Sequence, residues 1–213
     1  MPNRLLLLHA ARPSVDPVSE FYLREAADMA PVNILDEGVM GHLRTQDWGR
    51  AVTRLRSLIL QAVEEYGVGT VLVTCSALGP VQMAAIRDGL PVRALKIDEP
   101  MLERAAVTFA GPIGLVATFP STVDTSVAWL RHFQPEVEIE VSCDAGALEA
   151  LLRGERAEHD RRLIAAAEEM AARGVAGIVL AQVSMARLAE EIRIRTGLPV
   201  LESLTTSLAG VRG

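Results

Sequence analysis

The sequence predicts an α/β protein of two pseudo-symmetric lobes, each a four-stranded parallel sheet flanked by helices. Short apolar runs alternate with helical segments, which is typical of parallel strands buried on both faces. The run Val71 to Gly79 repeats as Ile178 to Ala186, and Gly67-Val68 before the first copy corresponds to Gly174-Val175 before the second, at a shared offset of 107 residues. A chain of 213 residues accommodates two lobes of roughly 100 residues each.

The composition favours a globular protein with a large aliphatic core. Half of the residues are hydrophobic, whereas aromatic residues make up only 4%. Few aromatic rings and a net charge of −6 argue against a nucleic-acid partner, because nucleic acids attract basic patches and stacking side chains. No apolar stretch is long enough to span a bilayer or to act as a signal peptide. We therefore expect a cytoplasmic protein with no membrane partner.

Each element of the first half has its own signal. Apolar residues at spacings of three and four predict a long helix from Trp48 to Tyr66, which Gly67 ends. Pro80 suits the first position of a helix, because its missing N–H is not needed there. The predicted elements are, in order, a strand at Leu5–His9, a helix at Val18–Ala30, a strand at Val32–Leu35, the long helix, a strand closed by Cys75, a helix from Pro80 and a strand at Pro91–Ile97.

The second half repeats this order of strands and helices. The closing helix is placed with the first lobe, so the predicted division is residues 1–100 plus 200–213 for the first lobe and 101–199 for the second. The predicted elements are a strand at Ile113–Ala117, a loop at Thr118–Thr122, a helix at Val123–Phe133, a strand at Val137–Val141, helices at Ala147–Leu152 and Glu155–Arg173, the strand leading to Gln182, a helix at Met185–Thr196, a short strand at Pro199–Leu201 and a helix at Leu204–Val211.

Candidate site residues follow the strands, because ligands of open parallel sheets bind outside the carboxyl ends of the strands. If the two lobes face each other, these residues converge on one active cleft between the lobes. Their hydroxyl, thiol and amide groups suit hydrogen bonding to a small carboxylate without a cofactor. The candidates are His9, Ser14, Cys75, Ser76, Thr118, Ser121, Thr122, Gln182, Val183 and Ser184.

The cysteines and histidines do not predict a metal site. Cys75 and Cys143 are far apart, and the four histidines show no spacing typical of metal ligands. A disulfide between the two cysteines stays open as an alternative, although a reducing cytosol disfavours it.

Several of these motifs resemble the aspartate/glutamate racemase superfamily, which includes hydantoin racemases, maleate isomerases and arylmalonate decarboxylases. Thr74-Cys75-Ser76 resembles the first cysteine motif of that family, and Ala117 to Thr122 resembles its threonine-rich carboxylate loop. Leu180 to Ser184 occupies the second cysteine motif, and Pro199-Val200-Leu201 resembles the closing segment. The chain is most similar to racemase-like members that have Gln in place of the second cysteine, here Gln182.

The resemblance implies a cofactor-independent mechanism and a homodimer. In that mechanism one thiolate removes a proton from the α-carbon of the substrate and a second thiol delivers one to the opposite face. Cys75 fills the first role, but the amide of Gln182 has no useful acidity near neutral pH. The resemblance therefore implies a one-thiol enzyme acting on an amino acid, hydantoin or dicarboxylate, in which Thr118 and Thr122 hold a carboxylate.

The reaction and even catalysis stay open at this point. Cis–trans isomerisation needs a nucleophilic cysteine in the first half, which this chain has, whereas the arylmalonate decarboxylases resemble users of the second-half cysteine. Racemisation would need His9 or Ser184 as the opposing acid. The second hypothesis is a non-catalytic protein that binds a small carboxylate through the same groups.

The candidates also have simpler structural interpretations. Buried cysteines are usually inert, and Cys143, which lacks a matching motif, is predicted to be a small core residue. The pairs Asp36-Glu37 and Asp98-Glu99 are predicted to be solvated turns. Capping of strands, helices or loops would also explain His9, Thr118, Thr122 and Gln182.

Overall fold

The computed structural model describes residues 4–213, which divide into two compact units. The first unit contains the residues up to Ile97 together with Ser207–Gly213, and the second unit contains Asp98–Thr206. Each unit holds one sheet of four parallel strands. The predicted fold class, two four-stranded parallel sheets flanked by helices, is confirmed.

The first unit contains the first sheet and the helices that flank it. Its elements are β1 (Arg4–His9), α1 (Val15–Glu25), β2 (Val32–Leu35), α2 (Gly38–Arg44), α3 (Trp48–Tyr66), β3 (Val68–Val73), α4 (Pro80–Arg87) and β4 (Arg93–Lys96), with short 3-10 turns at Arg12–Ser14 and Ala27–Met29. The strand order of the sheet is β2-β1-β3-β4. The central strand β1 is buried on both faces, since Leu5 to Leu8 are all fully buried, and this explains its unbroken run of leucines.

Helix α3 has the predicted bounds, because both of its ends are well specified. The Asp47 side chain accepts a hydrogen bond from the Arg50 N–H at 3.2 Å and caps the start. Gly67 ends the helix in the left-handed conformation, with φ of 66°. The buried face of α3 consists of Ala51, Leu55, Ile59 and Ala62.

The remaining elements build and flank the second sheet. They are α5 (Glu99–Thr108), β5 (Ile113–Ala117), α6 (Pro120–Phe133), β6 (Ile139–Cys143), α7 (Ala145–Leu152), α8 (Arg156–Ala172), β7 (Gly177–Leu180), a 3-10 segment (Val183–Leu188), α9 (Ala189–Thr196), β8 (Val200–Glu202) and α10 (Ser203–Arg212). The second sheet has the order β6-β5-β7-β8, which is equivalent to that of the first.

Backbone hydrogen bonds confirm that the two halves correspond. The Thr74 N–H donates to Leu8 O at 2.9 Å, and the Ala181 N–H donates to Val116 O at 3.0 Å. Strands β3 and β7 also end at equivalent residues, Val73 and Leu180, which keep the offset of 107 residues. The carboxyl ends of the two central strand pairs are therefore built alike.

The unit boundary lies inside α10, which differs from the predicted division after residue 199. Strand β8 belongs to the second sheet because Leu201 pairs with Val179 of β7. Only the end of α10 belongs to the first unit, where Ser207 Oγ lies 2.8 Å from the Tyr22 hydroxyl and Arg212 pairs with Asp28 at 2.9 Å.

Candidate active site

Cys75 lies in the loop that follows β3, at the carboxyl edge of the first sheet. The strand ends two residues earlier than predicted, so Cys75 stands beyond it and keeps 8% of its surface exposed. Helix α4 begins at Pro80 as predicted. The Gly79 N–H, however, donates to Gln82 Oε1 at 3.1 Å, so this backbone donor near the thiol is already used. Ser76 is half-buried in the same loop.

His9 ends β1 and is the centre of a buried polar network. Its Nε2 lies 3.0 Å from Asn33 Oδ1, and its Nδ1 lies 3.0 Å from Thr74 Oγ1 and 3.2 Å from Ser14 Oγ. Because Asn33 Oδ1 also accepts the Ser19 hydroxyl at 2.7 Å, that atom is an acceptor and Nε2 carries the proton of the neutral ring. Nδ1 is then an acceptor for a hydroxyl proton.

The burial of His9 keeps the ring neutral. Only 1% of the residue is exposed, and this burial lowers the pKa of His9, while the hydrogen bond to Asn33 opposes the shift. The single ring proton is bonded to Asn33, so His9 has no proton ready for a substrate. The geometry favours a role in holding Thr74, whose hydroxyl is the donor to Nδ1. The Ser14 hydroxyl donates instead to Ala11 O at 2.8 Å.

Thr118 and Gln182 form the equivalent contact in the second unit. Thr118 follows β5, and both its N–H and its hydroxyl donate to Gln182 Oε1, at 2.7 and 2.9 Å. Thr118 is 1% exposed, whereas Gln182 is half-buried. Thr118 was expected to help hold a substrate carboxylate, but both its donors are bonded to Gln182.

The other candidates of the second unit lie on two short stretches. Helix α6 begins at Pro120, three residues earlier than predicted, because proline is well placed in a first turn. Ser121 and Thr122 are consequently helical, and Thr122 is 3% exposed while Ser121 is half-buried. Val183 and Ser184 are half-buried at the start of the 3-10 segment after Gln182.

Two charged residues at the sheet edges were missed by the sequence analysis. Lys96 ends β4 beside Val73 and is fully buried. Glu202 ends β8 beside Leu180 and is 7% exposed. Charged residues inside apolar strand ends are the signal that would have identified both, since buried charges are rare.

Glu202 caps helix α10. Its carboxylate accepts the N–H groups of Leu204 at 2.6 Å and Thr205 at 2.9 Å, together with the Thr205 hydroxyl. A carboxylate at a helix N-terminus is favourable, whereas a cation is not.

Two structural predictions are wrong. Cys143 is exposed instead of lying in the core, because β6 is an edge strand of its sheet. Partial desolvation and the carboxylates of Asp144 and Asp124 raise the pKa of the Cys143 thiol. Asp98, predicted in a solvated turn, is 1% exposed.

Within residues 4–213, no group of three or more His, Cys, Asp and Glu side chains is arranged to hold a metal ion. No helix in the described part of the chain is both long and apolar enough to cross a membrane.

The family model for Asp/Glu/hydantoin racemases matches residues 7–209. The chain belongs to this family. The match covers every candidate site residue, so the resemblance inferred from the motifs is confirmed at the level of the family. A search of curated proteins gives no match.

Solved structures of two racemases and of a decarboxylase have the same fold. A glutamate racemase from Bacillus anthracis shares 16% identity with a TM-score of 0.69, covering 99% of this chain and 80% of its own. An allantoin racemase from Pseudomonas fluorescens shares 19% identity with a TM-score of 0.67, covering 98% of this chain and 89% of its own. An arylmalonate decarboxylase shares 14% identity with a TM-score of 0.59, covering 99% and 92%. Family membership and fold together support a racemase-like function on small carboxylates.

Proposed function

We propose that this racemase-family protein is a cofactor-independent isomerase that acts on a small carboxylate, namely an amino acid, a hydantoin or a dicarboxylate, through the single thiol of Cys75. The main support is the position of Cys75, two residues after the end of β3, at the sheet edge where open α/β sheets bind ligands. At the equivalent position after β7 the chain has Gln182.

The proposal gives Cys75 one of two chemical roles. As a base, the thiolate takes a proton from the α-carbon, the electron pair passes into the adjacent carbonyl, and water returns a proton to the opposite face of the planar intermediate. As a nucleophile, the thiolate adds to a carbon–carbon double bond, the substrate rotates about the resulting single bond, and the thiolate leaves again. Neither route needs an oxidant or a second protein acid.

The remaining candidates are assigned to binding and positioning. His9 and Thr118 hold other side chains through their hydrogen bonds. We assign binding of the substrate carboxylate to the hydroxyl and amide groups that keep exposed surface, which are Ser14, Ser76, Ser121, Gln182 and Ser184, with Thr122 and Val183 beside them.

The test compares two cysteine variants. Cys75→Ser should lower turnover by about 10²-fold or more, the range for loss of a general acid–base group, whereas Cys143→Ser should leave it unchanged. Turnover is measured as exchange of substrate hydrogen with deuterated solvent, or as cis–trans conversion, over a panel of amino acids, hydantoins and dicarboxylates. Equal rates for Cys75→Ser and wild type would refute the thiol mechanism.

A non-catalytic carboxylate-binding protein is the second candidate. It is favoured by the amide of Gln182 at the position of a second acid. Iodoacetamide labelling of Cys75 in a Cys143→Ala background separates the two, because a ligand that shields Cys75 without being turned over identifies a binding protein. Single-thiol decarboxylation would instead release carbon dioxide from a malonate-type ligand.

Assembly and location stay predictions. The homodimer implied by the resemblance is tested by light scattering after size-exclusion chromatography, where a mass near twice 22.9 kDa is expected. The predicted cytoplasmic location is tested by fractionation of cells that express the tagged chain.

A further inference from the structure

The amide of Gln182 is held in one orientation. Its Oε1 accepts two hydrogen bonds from Thr118, from the N–H at 2.7 Å and from the hydroxyl at 2.9 Å. Only the oxygen of a carboxamide accepts hydrogen bonds, so two donors at one atom fix which end is oxygen. The NH2 group is consequently turned away from Thr118.

This contact also decides which of the two residues is available to a ligand. The Thr118 donors are both bonded, and the residue is 1% exposed. Gln182 keeps part of its surface exposed, and both hydrogen bonds given for its side chain use Oε1. The donor that the second unit offers at this strand end is therefore the Gln182 NH2 group.

We infer that Gln182 Nε2 is a ligand-binding donor for a carboxylate or carbonyl oxygen, and that Thr118 is a positioning residue that presents it. The ligand class rests on the proposed function, whereas the orientation of the amide does not. Two hydrogen bonds made before binding reduce the side-chain entropy that binding would otherwise cost.

A neutral donor has a consequence for the chemistry that Gln182 can support. An amide N–H stabilises a developing enolate oxygen but does not give up its proton near neutral pH. Gln182 is therefore a binding group and not the acid of a two-base racemisation.

An opposite arrangement makes opposite predictions. If a substrate oxygen displaced Gln182 and bonded Thr118 directly, Gln182→Met, which cannot occupy the Thr118 donors, would tighten binding. With Gln182 as the donor, Gln182→Met weakens binding by about tenfold, the loss expected for one hydrogen bond to a charged group. Gln182→Glu weakens it further through repulsion between carboxylates.

The experiment uses the full chain and malonate as the probe. Proton–nitrogen correlation spectra, with the Gln182 NH2 signal assigned by its loss in Gln182→Glu, are recorded for wild type, Thr118→Val and Thr118→Ser. We expect NH2 chemical shifts in wild type and Thr118→Ser that differ from those of a solvent-exposed glutamine side chain, and shifts close to the solvent-exposed values in Thr118→Val. An unchanged NH2 signal in Thr118→Val overturns the positioning role.

Titration with malonate tests the ligand-binding role. The Gln182 NH2 signal should shift on binding while the Thr118 N–H signal keeps its hydrogen-bonded position, and Thr118→Val should bind about tenfold more weakly, with recovery in Thr118→Ser. Tighter binding by Gln182→Met, or no shift of the NH2 signal at any malonate concentration, overturns this role. Either result leaves the alkylation and turnover tests of Cys75 intact, so failure of this inference is distinct from failure of the proposed function.

Discussion

The two units share a scaffold and differ in the residues at their strand ends. The shared part extends to an ion pair: Arg54 of α3 contacts Asp36 after β2, and Arg162 of α8 contacts Asp144 after β6, both through Nε and Oδ2 at 2.5 and 2.8 Å. These contacts hold the backbone after an outer strand, where each Asp also accepts a backbone N–H.

The strand ends of the central pairs diverge instead. The first unit has Thr74-Cys75 beside the buried imidazole of His9, whereas the second has Ala181-Gln182 bonded to Thr118. Residues that shape the backbone are thus retained in both copies, and residues that carry chemistry are specific to one. Under the proposed function, the first unit would hold the reactive group and the second a polar recognition group.

The largest expected effect comes from making the two units alike. Gln182→Cys should add an acid at the second strand end, and inversion of a chiral ligand that protects Cys75 should rise by about 10²-fold over wild type. Chiral chromatography of the reaction mixture measures this rate. Gln182→Ser, which also loses the contact with Thr118 but has no acidic thiol, is the control, and equal inversion by the two variants would contradict the assignment of thiol chemistry.

Removal of the buried Glu202 carboxylate from the second sheet should have the next largest effect, which is on the free energy of unfolding. Glu202→Ala leaves the first N–H groups of α10 without their acceptor and should lower the free energy of unfolding by about 3 kcal/mol. Urea titration followed by circular dichroism measures it. Glu202→Gln keeps an acceptor oxygen and should lose less, so an equal loss in both variants would show that charge, more than geometry, stabilises the cap.

The His9 network should make the first unit sensitive to acid. Because burial lowers the pKa of His9 below 6.5, the unfolded chain binds a proton that the folded chain does not, and stability falls as the pH drops below 6.5 towards the folded-state pKa. At higher pH the neutral ring is not penalised. His9→Asn should be less stable at pH 7.5 by about 2 kcal/mol and should lose this dependence, which urea titrations across this pH range measure. A wild-type slope that persists in His9→Asn would assign it to another group.

The shared ion pairs should contribute least. Arg162→Gln removes a two-point contact with Asp144, whose pKa Arg162 lowers, and should lower the unfolding temperature slightly. Arg54→Gln removes a single contact and should lower it less. The Asp144 contribution is present above pH 3.8 and is lost as the pH falls through the lowered folded-state pKa. Thermal unfolding at pH 7 and pH 3 measures both pairs. A larger loss in Arg54→Gln would reverse the ranking.

Local signals account for the part of the fold that the sequence predicted. Helix α3 was predicted with its bounds because a capping Asp, a regular apolar face and a terminal Gly agree. Helix α1 spans Val15–Glu25 where Val18–Ala30 is predicted. It begins earlier because Pro17 is favourable in a first helical turn. The exposure of Cys143 was not predicted either, because it depends on the strand order, which places β6 at the edge of its sheet.

The site could be predicted only as a set of residues. Parallel strands bring their carboxyl ends to one edge of each sheet, which selects Cys75 and His9 in the first unit and Thr118 and Gln182 in the second as candidates. The direction of each hydrogen bond was not predictable, because Thr118 and Gln182 are 64 residues apart and either could have been the group that meets a ligand. Lys96 was missed because a strand-end lysine is usually solvated.

The return of the chain through α10 has a consequence for the order of folding during synthesis. Residues Ser207–Gly213 complete the first unit, where Arg93 donates to Gly210 O at 2.6 Å and Ser207 contacts Tyr22. A ribosome makes these residues only after all of the second unit. The first unit therefore lacks its contact at Tyr22 until the second unit has been translated. N-terminal domains generally fold first during synthesis, but here the first unit completes its packing last.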